Sequence, residues 1–201
     1  DFAENHMKNL CSRGYPGEFD RADAEGGDRI IATAYLARWT GPVNEEDDPY
    51  DDASGVSPTD LAPEKHVQNV LFLPDLIGPN EVAALKRAIM EHGAVYTSMY
   101  VNVNESYPYY NPETAGYYYD GTEEPNHAVT VVGWNDTYDR SLFASVPPEG
   151  GAWIIKNSWG TEFGDEGYFF ISYCDSKMGV DNTVFIAEDT GTYDAVYQHD
   201  P

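Results

Sequence analysis

Two strings in the last third of the chain constrain its fold more than any other feature. Asn126-His127-Ala128-Val129 opens a run of strand-forming residues, 127–134, and Asn157-Ser158-Trp159-Gly160 follows a second run, 152–156. The connection contains Pro147-Pro148 and Gly150-Gly151, so the two runs read as neighbouring antiparallel strands. With Trp134 opposite Ala152, Asn157 falls opposite Val129, two residues from His127. Both side chains then leave the sheet at the same end, within reach of an imidazole N–H donating to an amide oxygen. Any fold for this chain has to keep that pair of strand ends together.

The rest of the chain supplies helices first and strands later. Residues 1–10 read as a helical turn or two with Phe2, Met7 and Leu10 as apolar positions and Asp1 with Glu4 as a start pair. Residues 11–27 form a polar, glycine-rich loop, and Asp28 caps a helix over 29–39 that Gly41-Pro42 ends. Residues 42–68 are rich in proline and acid and read as extended and solvated. A short strand is expected at 69–73. Pro79-Asn80 opens a third helix, 81–92, that Gly93 stops, and Val95, Thr97, Met99, Val101 and Val103 alternate as in a half-buried strand. Further strands are expected at 167–173 and 183–187. This order implies an α+β protein of two segregated lobes, mainly helical over 1–93 and mainly β over 94–201. The tyrosine-rich stretch from Tyr107 to Tyr119 is read as covering a sheet edge, with stacking against sugar or peptide as the other reading.

Composition excludes several functions. With 35 acidic against 11 basic residues the net charge is −24, so the chain lacks the basic surface that nucleic acid requires. Binding to anionic membrane surfaces is excluded on the same ground, and no apolar run approaches the ~20 residues of a membrane span. The run Glu45, Glu46, Asp47, Asp48, Asp51, Asp52 leaves a calcium site as the minor reading, since its spacing does not match a calcium loop, and the five histidines lack metal-ligand spacing. No metal or cofactor is therefore expected. Cys11 and Cys174 are compatible with a mutual disulfide, with partners outside the chain or with free thiols. The acidity and the Asn104-Glu105-Ser106 and Asn135-Asp136-Thr137 tripeptides point to an extracellular or cell-surface setting. The chain opens on Asp1-Phe2-Ala3-Glu4 without a starting Met or signal peptide, which reads as an internal fragment or a processed chain.

A histidine and an asparagine so placed suit the second and third members of a nucleophilic triad. The imidazole takes a proton from a thiol, and the neutral amide orients the ring without cancelling its charge. An indole such as Trp159 beside the pair keeps water from their hydrogen bond. Taken singly, His127 and Asn157 read more simply as a strand-end histidine and a turn asparagine.

The complete strings alter that balance. Asn126-His127-Ala128-Val129 with Gly133-Trp134, then Trp153-Ile154-Ile155-Lys156-Asn157-Ser158-Trp159-Gly160, then Phe163-Gly164-Asp165-Glu166-Gly167-Tyr168 resemble the papain-like cysteine peptidases. Weaker resemblance covers Glu4-Asn5-His6-Met7, Gly26-Gly27 and Asp48-Pro49-Tyr50. The resemblance implies a two-lobe papain-like fold and hydrolysis of peptide bonds by a Cys-His-Asn triad. His127 takes the place of the general base and acid, Asn157 of its orienting residue and Trp159 of their shield. Gly26 and Gly27 match a cleft wall that pairs with extended substrate backbone, and Asn126 and Ala128 match positions lining the cleft beside the histidine. Asp28-Arg29 stands where many members carry an aromatic residue and a proline.

The family's nucleophile element, with its cysteine, oxyanion-hole glutamine and central helix, precedes the part that matches residue 1. The expected partners are thus a peptide or protein substrate and an upstream segment carrying the catalytic cysteine. The chain alone is expected to be inactive and to leave an apolar face of its helical lobe bare. The alternative is a non-catalytic papain-like surface or adhesion module that binds peptide or glycan.

Overall fold

The computed structural model describes residues 1–51, 53–102 and 108–192. Asp52, Val103, Asn104-Glu105-Ser106, Tyr107 and the stretch from residue 193 lie outside the described residues. The chain forms two compact units, Asp1–Val70 with Phe185–Pro201, and Leu71–Val184. The division by sequence near residue 93 differs from this one.

In the first unit, helix α1 spans Glu4–Leu10 and helix α2 spans Arg29–Ala37. Asp1 does not cap α1. Its carboxylate accepts from the Phe2 N–H, and the N-cap position is Ala3, without a side-chain bond. Asp28 does cap α2, its Oδ1 accepting from the N–H groups of Ile30 and Ile31 at 2.9 and 3.0 Å. Leu10, Cys11 and Tyr35 form a buried core, with Met7, Tyr15, Phe19, Ile31 and Leu36 packed on it.

The proline- and acid-rich stretch is less solvated than its composition suggests. Val43, Asp48 and Ser57 are buried, because α1 presents amides that need partners. Asn5 Nδ2 donates to Asp48 Oδ1 and Asn9 Nδ2 donates to Ser57 Oγ, each at 2.9 Å. Strand β1, Lys65–Phe72, begins four residues before the expected start. His66 and Val67 are buried on it, and Lys65 ion-pairs with Asp189 of this unit's C-terminal segment.

The second unit holds helix α3, Pro79–His92, strands β2, Val95–Met99, β3, Tyr110–Asn111, β4, Gly116–Tyr117, β5, His127–Asn135, β6, Ala152–Lys156, β7, Tyr168–Ser172, and the start of β8, Val180–Asp189. From β8 onward the strand order is β8-β2-β5-β6-β7-β4-β3. Neighbours are antiparallel except β4 and β7, which run parallel. Pro79 occupies the first turn of α3 and Gly93, at φ 90°, ends it. Leu85 and Ala88 on α3 are buried, and the helix packs on β2 and β5, which is why it groups with the sheet. Val95, Val131, Ile155, Ile171 and Trp153 fill the sheet's buried face. Strand β2 stops at Met99, short of the expected 103. Tyr117, Tyr118 and Tyr119 are buried where the β3–β4 hairpin closes one sheet edge, as the edge-covering reading had it.

Candidate active site

Strand β5 carries His127 at its first position and β6 delivers Asn157 just past its last. The register at this end pairs Val131 with Ile155 and Thr130 with Lys156. Continuing that step sets Asn157 across from Val129. Toward the other end Gly133 pairs with Ile154 and Trp134 with Trp153, so Val132 is an extra residue in a bulge. The expected pairing of Trp134 with Ala152 is one residue off, while the histidine end has the expected register.

Imidazole Nε2 of His127 lies 2.9 Å from Oδ1 of Asn157. The Ser158 N–H also donates to Oδ1, at 2.9 Å, which fixes that atom as the amide oxygen. An oxygen only accepts, so Nε2 carries the proton and Nδ1 presents its lone pair. Nδ1 has no hydrogen-bond partner among the described residues. The Asn157 backbone N–H donates to Gly167 O at 3.0 Å, tying the amide to the loop that carries Trp159. Asn157 is 7% exposed and His127 is half-buried. Burial pushes the His127 imidazole below its ordinary pKa, and the Asn157 bond partly opposes this. The ring is therefore neutral and able to take a proton near neutral pH.

The Trp159 indole packs on the imidazole with ring centroids 4.9 Å apart. Met99, Val101, Tyr110, Tyr117, Phe163 and Phe169 complete an apolar lining around the pair. Among these, the sequence string marks Phe163, whereas Tyr110 and Tyr117 belong to the tyrosine-rich, edge-covering stretch and reach the site through the β3–β4 hairpin.

Asn126 and Ala128 flank the histidine and are exposed. The Asn126 side chain imitates a strand residue. Its Oδ1 accepts from the Val101 N–H at 2.8 Å and its Nδ2 donates to Val101 O at 2.9 Å, extending the β2–β5 ladder beyond Met99. Gly26 and Gly27 lie in the first unit, exposed, on the loop before Asp28. A Cβ on Gly26 would meet open space, so this backbone is accessible.

Neither cysteine has the setting of an activated thiol. Both are free. Cys11 is fully buried in the first unit, with the Arg38 guanidinium 3.8 Å from its sulfur, and burial pushes its thiol pKa up. Cys174 lies past Ser172, which pairs with Ala152 at the end of the sheet remote from Asn157. Asn157 is five residue steps along the strand from Ala152, roughly 17 Å. Among the described residues no group of three or more His, Cys, Asp or Glu side chains is arranged to hold a metal ion.

A family model described as papain family cysteine protease matches residues 9–188. The chain belongs to the papain family of cysteine proteases. A cysteine protease of Blomia tropicalis is 27% identical over 188 residues, covering 93% of this chain and 52% of that protein. Cathepsin B-like CP3 of Giardia intestinalis is 27% identical over 172 residues, covering 82% and 53%. The chain thus spans about half of these relatives. Among solved structures, the cysteine protease and lectin-like domains of Cwp84, a surface layer associated protein of Clostridium difficile, match with a TM-score of 0.81 and 30% identity, over 96% of this chain and 43% of that one. Bromelain from Ananas comosus matches in fold with a TM-score of 0.64 at 21% identity, over 93% and 78%. The α+β papain-like fold and the papain-family protease domain are therefore established. No helix among the described residues is long and apolar enough to cross a membrane.

Proposed function

We propose that this domain works as a cysteine-type endopeptidase in which His127 and Asn157 are two members of a triad and the nucleophilic cysteine is supplied from outside these 201 residues. The reading rests on one observation. Nε2–H of His127 is committed to Asn157 Oδ1 while Nδ1 is left with a lone pair and no partner among the described residues. A thiol beside Nδ1 gives up its proton to that nitrogen, and the resulting thiolate attacks the scissile carbonyl carbon. Imidazolium Nδ1–H then protonates the leaving amine as the C–N bond breaks, leaving a thioester. Water attacks the thioester with Nδ1 taking its proton, and the acid product and thiol are released.

In this reading Asn157 keeps the ring plane fixed through both transfers, and Trp159 keeps water off the bond that fixes it. Gly26 and Gly27 pair with extended substrate backbone, and Asn126 and Ala128 border the reacting bond. Asn126 contributes mainly by holding the strand start in place, since its side chain is spent on Val101. The substrate is a peptide or protein. A cell-surface or extracellular setting fits the net charge of −24 and the surface-layer association of the Cwp84 relative.

The test is an assay of these 201 residues for thiol-dependent cleavage of unstructured peptides, alone and with a cysteine-bearing completing segment added in trans. The expected result is no cleavage alone and cleavage on completion that a thiol-alkylating reagent stops. Thiol-dependent cleavage by the 201 residues alone would overturn the proposal. Peptide binding without cleavage after completion would point to the non-catalytic alternative.

A further inference from the structure

The shield over the histidine has a second and a third layer. Phe163 meets the Trp159 indole edge-on, with centroids 4.9 Å apart and planes at 82°. It meets Phe169 in the same way, at 5.6 Å and 80°. Tyr110 lies flat on Phe163, at 5.3 Å and 19°. Phe163 thus contacts three rings and backs the Trp159 indole on one side.

Tyr110 is itself held by an anchored hairpin. It pairs with Tyr117 across β3 and β4, and β4 runs beside β7 with Gly116 opposite Phe170. Phe170 N–H donates to Ala115 O at 2.8 Å. Asn111 Nδ2 and Thr114 Oγ1 both donate to Leu142 O, at 2.9 and 2.5 Å, and Tyr117 OH donates to Tyr100 O at 2.8 Å. The loop bearing Phe163 is closed by its own bond, Gly167 N–H to Phe163 O at 2.8 Å. Two rigid supports therefore face each other, and the flat Tyr110–Phe163 contact is where they meet.

We propose that Tyr110 is a positioning residue for the His127–Asn157 pair, acting through Phe163 to hold the Trp159 indole against the Nε2–H···Oδ1 bond and exclude water from it. Its consequence for catalysis rests on the function proposed above, but the positioning itself does not. A hydrogen bond in an apolar, water-free setting is stronger than one that solvent competes for, and its proton leaves more slowly.

The experiment follows the His127 Nε2 proton by NMR in the 201-residue chain, which separates this proposal from the presence or absence of peptidase activity. Tyr110→Ala is expected to speed solvent exchange of that proton by about tenfold, while Tyr110→Phe, which keeps the flat contact, leaves it within about twofold. Gly116→Ala should act in the same direction as Tyr110→Ala, because a Cβ there would lie 3.0 Å from Leu142 O and push the hairpin away. A folded Tyr110→Ala variant with unchanged exchange overturns the proposal. Where the alanine variant does not fold, Tyr110→Leu replaces it with the same expectation. In the unmutated chain, a Nε2 proton exchanging as fast as that of free imidazole overturns the proposal outright.

Discussion

Two histidines, one in each unit, share a tautomer and differ in what they leave free. His6 on α1 is fully buried, and both ring nitrogens are occupied. Nε2–H donates to Pro58 O at 2.9 Å, and Nδ1 accepts from Tyr35 OH at 2.6 Å. His127 on β5 also carries its proton on Nε2, given to Asn157, but its Nδ1 has no partner among the described residues. Burial lowers the pKa of both rings, so both stay neutral near pH 7. Neutrality alone therefore says nothing about chemistry. A histidine whose second nitrogen is filled joins chain segments together, and one whose second nitrogen is open can move a proton.

The sharpest way to break this contrast is to exchange the consequences of losing each ring. In the completed enzyme, His127→Ala should lower kcat/KM by about 10²–10⁴-fold. It should change stability by less than about 1 kcal/mol, because the His127 ring is half-buried and Asn157 Oδ1 keeps the bond from the Ser158 N–H. His6→Ala should do the opposite. It leaves the buried Tyr35 hydroxyl unpaired and empties the space of a fully buried ring, a loss of roughly 2–4 kcal/mol in urea denaturation. The His127 Nε2 signal should survive in whatever fraction stays folded. If His127→Ala destabilised as much as His6→Ala, the distinction would fail.

Asn157→Ala sharpens the comparison on the chemical side. It should lower kcat by about ten- to a hundredfold without removing activity, since the base remains but its ring is free to turn. The Asn157 bond raises the His127 pKa against the larger effect of burial. Its removal with burial unchanged should shift the imidazole titration further down, measurable by NMR. An upward shift would mean that the substitution mainly admits water.

Both rings also predict how stability depends on pH. For each, the folded state lowers the pKa below the ordinary 6.5. Their stabilising contribution is therefore full above pH 6.5 and is lost as the pH falls through the folded value. Asp175 acts in the opposite sense over the same range, since burial pushes its carboxyl up to about 7. The histidine contribution is therefore read as the loss of pH dependence in urea midpoints on His6→Ala or His127→Ala, with both rings titrating below 6.5 by NMR. The smallest effect concerns Glu166, held at φ 51° in the loop beside the site. Glu166→Gly relieves the left-handed strain at the expense of a looser unfolded chain, for a net gain of at most about 1 kcal/mol and no change at His127.

Much of this was legible in the sequence because it depends on neighbours along the chain. The Asp28 cap, the Pro79 start and Gly93 stop of α3, and the strand ends at His127 and Lys156 all follow from local chemistry. Register was legible only at the histidine end. There the strings fix the ends, whereas the Val132 bulge toward Trp134 offers no residue that announces it. Burial of Asp48 and Ser57 in an acid-rich stretch was not legible, because the amides that pair with them lie about forty residues earlier on α1. Nor was the role of Tyr110, which depends on a hairpin laid against β7. The string around His127 set it apart in sequence, but the filled Nδ1 of His6 was not legible, because Tyr35 lies 29 residues further along the chain.

The central claim is that His127 and Asn157 serve a thiol that is neither Cys11 nor Cys174. The most direct measurement treats the natural protein from its source with an electrophilic peptide probe for active-site thiols and maps the labelled residue by mass spectrometry. The account predicts labelling of a cysteine outside these 201 residues, lost in His127→Ala. Labelling of Cys11 or Cys174, or no labelling of properly folded protein, would contradict it.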